Sequence, residues 1–191
     1  MKKPSIYQLK VTLVGSKPPI WRRILVSGDV NLSVFHQILQ DVMGWTDSHL
    51  HQFVAGGIMY SAPYDDYADD LEIEFRDESK YKLSQLLKRE KDSLIYEYDF
   101  GDSWEHKIVL EKILPDDGST ETPSCIKGNR ACPPEDCGGI WGYANLIEIV
   151  QNPKHPEHQE MLEWLEEDFD PEYFDLDDIN EGLQAYRKPH A

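Results

Sequence analysis

Three cysteines in 191 residues are too few for a disulfide scaffold. All three, Cys125, Cys132 and Cys137, fall in one Pro- and Gly-rich stretch, "CIKGNRACPPEDCGG". There is no tight Cys-x-x-Cys pair, no Asp-x-Asp-x-Asp-Gly calcium loop and no glycine-rich phosphate loop, so a zinc knuckle, an EF-hand and a kinase are all unsupported. No apolar run approaches the ~20 residues a membrane-spanning helix needs. The opening "MKKPSIYQLKVTL" has no apolar stretch leading to a small-residue cleavage site, and the expectation is a cytoplasmic chain with reduced thiols.

Basic residues are also scarce, with 19 Lys and Arg against 36 Asp and Glu for a net charge of −17. The deficit is uneven: residues 115–191 hold 5 Lys/Arg against 18 Asp/Glu, a net of −13, and residues 1–114 hold 14 against 18, a net of −4. Bulk nucleic-acid binding is opposed, because affinity for a phosphate backbone comes from Lys and Arg displacing counterions. Only local patches remain for it, at Arg22 and Arg23 or at Lys88, Arg89 and Lys91.

What is present has clear periods. Tyr7, Leu9, Val11 and Leu13 alternate with polar residues, which predicts a strand, and "IWRRILV" (20–26) after "SKPP" predicts its hairpin partner. Leu32, Phe35, Ile38, Leu39 and Val42 recur at helical spacing between a capping Asn31 and a terminating Gly44. "SHLHQFVAGGIMYSAP" reads as two strands around Gly-Gly, followed by an acidic, aromatic loop, "PYDDYADD", and a short helix over 83–90. Runs 94–100 and 103–113 read as a hairpin turning at Gly101-Asp102. Beyond a loop at 115–139, apolar stripes at Tyr143, Leu146, Ile147 and Val150 and at Met161, Leu162 and Leu165 predict helices. Pro156, Asp170-Pro171 and Asp177 or Asp178 supply the start signals. The class is α+β: one domain with a mostly antiparallel sheet and first helix over 5–114, the loop, and a helical acidic part over 140–191.

Four segments, "FHQILQDVMGW…SHLHQF" (35–53), "YDFGDSWEHKI" (98–108), "ACPPEDCGGIWGY" (131–143) and "FDPEYFD" (169–175), resemble the plasmid pRiA open-reading-frame-three-like family, in its order and over nearly the whole chain. The resemblance implies a compact α+β domain of bacteria and archaea, encoded on plasmids or near mobile elements, with no established activity.

The chemistry-bearing residues allow several readings. Cys125, Cys132 and Cys137 with His49, His51 or His106 have the donor types of a Cys3His zinc site. The same thiols also suit a loop shaped by proline and glycine, which is the favoured reading, ahead of a disulfide or a nucleophile. His49 and His51, two apart on one expected strand, would share a face. Asp99, Asp102, His106 and Glu135 are the acid–base candidates, although turn chemistry alone explains Gly101-Asp102, with His106 expected to point outward. The acidic run from Glu160 to Glu181 reads as a solvated face suited to a basic protein partner. The leading expectation is therefore a binding or interaction module without turnover. The alternatives are a metal-assisted hydrolase with a zinc site and Asp99 or Glu135 as base, and a nucleic-acid accessory protein.

Overall fold

The alternating N-terminal residues form strand β1 (Ser5–Leu13), paired antiparallel with β2 (Trp21–Ser27). Their inward side chains Leu9, Val11 and Ile24 are fully buried. The computed structural model describes residues 5–63, 75–165 and 169–187. Most of the acidic "PYDDYADD" loop and Glu166, Glu167 and Asp168 of the acidic run lie outside those residues.

Helix α1 (Leu32–Met43) follows β2. The Asn31 side chain accepts from Ser33 N at 3.0 Å, and Gly44 ends the helix at φ 97°, donating to Gln40 O at 2.8 Å. The helical stripe of Leu32, Phe35, Leu39 and Val42 is fully buried in one core with the sheet. Burying each such side chain contributes about 1.5–3 kcal/mol.

The sheet is completed by β3 (His51–Ala55), β4 (Ile58–Ser61), β5 (Phe75–Asp77), β6 (Ser93–Tyr98), β7 (Trp104–Pro115) and β8 (Ser124–Asn129). Its order is β5-β4-β3-β6-β7-β1-β2-β8, antiparallel except for the parallel β4–β5 pair. Between β5 and β6 lies helix α2 (Leu83–Leu86), shorter than the expected 83–90. Helices α3 (Gly139–Gln151), α4 (His158–Trp164) and α5 (Leu176–Gly182) form the C-terminal region.

Several local expectations are corrected. The β6–β7 connection spans 99–103 and is not a two-residue turn. The positive backbone angles sit at Asp99 (φ 58°) and Ser103 (φ 54°), not at the Gly-Asp pair. The expected loop 115–139 contains β8, an edge strand on β2. Asp175, not its neighbours Asp177 and Asp178, caps α5, accepting from both of their N–H groups. The α4 cap is Glu157, one residue past Pro156. His106 points inward and is fully buried.

Candidate functional site

The cysteines sit on two different parts of the fold. Cys125 sits in β8, buried, with its backbone clamped by Asn180 of α5 through bonds of 2.9 Å in each direction. Cys132 and Cys137 lie in the 131–138 loop, half-buried, and all three thiols are free. Among the described residues, no trio of potential ligand atoms within 4.8 Å of one another includes a cysteine. Burial raises the Cys125 thiol, raises Cys132 well above its ordinary value and pushes Cys137 up to about 12. At neutral pH these are protonated thiols, a poor start for a nucleophile.

The two histidines of "SHLHQF" also part company. Strand β3 begins only at His51, so His49 belongs to the preceding 45–50 segment and the shared face does not form. The ring of His51 turns into the interior, bonded to the buried Glu78 at 2.9 Å and stacked on His36 at 3.4 Å between ring centres. His36 in turn bonds Asp47 through Nε2 and Tyr96 through Nδ1, each at 2.8 Å. Partial burial pushes the Asp47 carboxyl up, but hydrogen bonds from Gln37 and His36 outweigh it and hold the group below its ordinary value.

His49 instead faces a cleft of about 960 Å³, lined partly by Thr46, Ser48, Cys132, Glu135, Asp136 and Asp170. Three segments build its base. The 45–50 segment is anchored by the buried Trp45, packed 5.3 Å from Tyr98 and 5.4 Å from Trp104, and by Ser48 N, which donates to the Tyr98 hydroxyl at 2.9 Å. In the 99–103 turn, Asp99 Oδ1 accepts from Gly101 N at 2.9 Å. The 131–138 loop is tied to that turn where Gly138 N donates to Asp102 Oδ2 at 3.1 Å. Gly139, at φ 66°, fits so closely that a Cβ there would collide with Asp102 O.

These ties bring His49, Asp99, Glu135 and Asp136 together. His49 Nδ1 is 3.8 Å from Asp99 Oδ1, and its Nε2 is 3.4 Å from Glu135 Oε2 and 3.3 Å from Asp136 Oδ1. Glu135 is held by its other oxygen, which accepts from Thr46 N at 2.6 Å, Thr46 Oγ1 at 2.9 Å and the Tyr98 hydroxyl at 3.1 Å. Burial and the adjacent Glu135 carboxylate push the Tyr98 hydroxyl up to about 12, so it stays a proton donor to Glu135.

Of the acid–base candidates, Asp99 and Glu135 therefore reach the cluster. Asp102 acts as the tether to Gly138. His106 lies in the core, where its Nε2 accepts from the Trp45 indole at 3.4 Å and its Nδ1 faces Tyr96 O, also at 3.4 Å. Burial holds His106 down to about 4. Sequence reasoning missed Asp136, whose only signal was its place beside Glu135, and missed the supporting Tyr98 and Thr46. The Arg22–Arg23 patch does not form. Arg22 is buried and donates to Val42 O at 3.0 Å, and Arg23 makes a two-pronged pair with Glu111 at 2.6 and 2.8 Å.

Comparison with known proteins agrees with the resemblance. The family model described as plasmid pRiA4b ORF-3-like protein matches residues 5–178, and the chain belongs to that family. It is 38% identical over 180 residues to the uncharacterized protein y4hQ of Sinorhizobium fredii, covering 94% of this chain and 91% of that one. The crystal structure of MM3350, a protein of unknown function from Methanosarcina mazei Go1, is similar with a TM-score of 0.82 and 39% identity. The likeness covers 93% of this chain and 97% of that one.

Proposed function

We propose that this member of the plasmid pRiA4b ORF-3-like family is a binding module whose cleft receives a positively charged ligand. One observation carries the reading. Glu135, Asp136 and Asp170 line the cleft with Asp99 at its base, and no lysine or arginine is among the described lining residues. Carboxylates gathered in a concave, partly desolvated site without a cation of their own focus a negative potential that attracts an external one. Binding is favoured over turnover because the thiols are held protonated and His106 is out of reach.

The test is binding of a short arginine- and lysine-containing peptide at low salt. Glu135→Gln combined with Asp136→Asn should weaken binding about tenfold or more, the effect of removing two well-placed charge contacts. Asp116→Asn with Asp117→Asn removes the same net charge on an exposed segment and should change affinity by less than about twofold, as expected of screened surface charges. Equal losses in the two double variants would contradict a specific cleft.

A further inference from the structure

We infer that the base of the cleft is a site for a divalent transition-metal ion, ligated by His49, Asp99 and Asp136 with Glu135 as a neighbouring donor. This rests on the cation-binding reading and names the cation. One ligand atom from each of His49, Asp99 and Asp136 lies within 4.8 Å of the other two. Metal bonds of about 2.0–2.2 Å to nitrogen and carboxylate oxygen place neighbouring tetrahedral ligand atoms about 3.4 Å apart, so the set closes on an ion through side-chain movements of up to about 1.4 Å.

The imidazole sets this cluster apart from an ordinary acidic surface patch. His49 Nε2 is shut off from solvent yet makes no hydrogen bond, although two carboxylate oxygens stand 3.3 and 3.4 Å away. A buried ring nitrogen left unpaired is unfavourable, and an ion between it and those oxygens would give it a partner. The three ligands come from three separate segments, each fixed by its own bonds, although the Gly101 N–H already occupies one lone pair of Asp99 Oδ1. Glu135 is anchored through Oε1, so its Oε2 faces His49. Asp102, not Asp99 or Asp136, ties the turn to the loop.

The donor chemistry selects the ion. One imidazole with carboxylates suits zinc or manganese, whereas magnesium and calcium prefer oxygen alone. Two negative charges from Asp99 and Asp136 would balance a divalent ion, and the open cleft leaves room for water or a ligand group to complete its coordination. A second cluster, His36, Asp47 and His51, also gathers three ligand atoms. Its two rings stack face to face at an interplanar angle of 4°, so their in-plane lone pairs run parallel and do not converge on one ion.

The experiment titrates chelator-treated full-length protein with manganese(II) chloride, followed by the loss of the free-ion paramagnetic resonance signal, and with zinc chloride by calorimetry. The expected result is one equivalent of each ion bound, with His49→Ala and Asp136→Asn each lowering affinity tenfold or more. Asp136→Asn keeps a residue that tolerates the left-handed backbone at φ 57°, and circular dichroism confirms that both variants fold. Cys125→Ser and Cys137→Ser should bind manganese as the wild type does. The inference is overturned by no binding up to about 1 mM ion, by binding that survives both ligand variants, or by binding lost only with the cysteines. If the metal fails while the peptide still binds in a manner dependent on Glu135 and Asp136, the cation-binding reading stands alone. If neither binds, both fall.

Discussion

A histidine's neighbours decide its chemistry, and the chain's histidines divide accordingly. His106 is fully buried and neutral, held down to about 4 by desolvation. The unfolded chain regains an ordinary histidine near 6.5, so it binds a proton that the folded chain refuses between those two values. The stability this withholds is fully present above about pH 6.5 and falls as pH drops toward 4, by about 3 kcal/mol for one group. Burial and the stacked His51 lower His36 in the same direction. Urea denaturation across that window should show the loss in the wild type and a shallower slope in His106→Asn; parallel slopes would contradict the assignment. Tyr98→Phe removes a hydroxyl that accepts from Ser48 and donates to Glu135, and should cost about 1–2 kcal/mol of stability while weakening cation binding. None of these roles was legible in "SHLHQF" or "DFGDSWEH". The apparent period of two broke down because His49 precedes the strand, and His106 took the inward position in β7.

Elements with a clean period were legible. Strands β1 and β2 and helix α1 follow their apolar spacing and caps, and Gly56-Gly57 sits between β3 and β4 as read. Strand β8 was not legible, because "SCIKGN" lies at the sheet edge with mixed exposure and no alternation. The 99–103 turn was misread because its left-handed residues are an aspartate and a serine, which the Gly-Asp signal masks. The docking of the 131–138 loop on that turn is the feature on which the cleft depends. Gly139→Ala would place a methyl against Asp102 O in a left-handed backbone, and should lower stability by about 1–3 kcal/mol and weaken cation binding together. A variant with wild-type melting and wild-type binding would show that the loop is not held there. Replacing Asp175 by alanine removes the α5 cap and should cost about 1 kcal/mol with little effect on the cleft, measured by the same two assays.

At the scale of the whole molecule, the α+β class, the antiparallel sheet and the helical C-terminal region follow from the order of the sequence patterns. The family resemblance agrees with the match over residues 5–178. The candidate site does not follow from sequence, because its members stand at positions 49, 99, 135 and 136 and meet only through loops. The charge excess of residues 115–191 was legible, but not its convergence on an imidazole. No helix among the described residues is long and apolar enough to cross a membrane. The most direct measurement follows the ring-nitrogen resonances of the histidines in the intact protein as zinc chloride or the basic peptide is added. Both ligands should shift the His49 nitrogens first and leave those of His36, His51 and His106 in place. An unmoved His49, with any response confined to the buried histidines, would contradict the account.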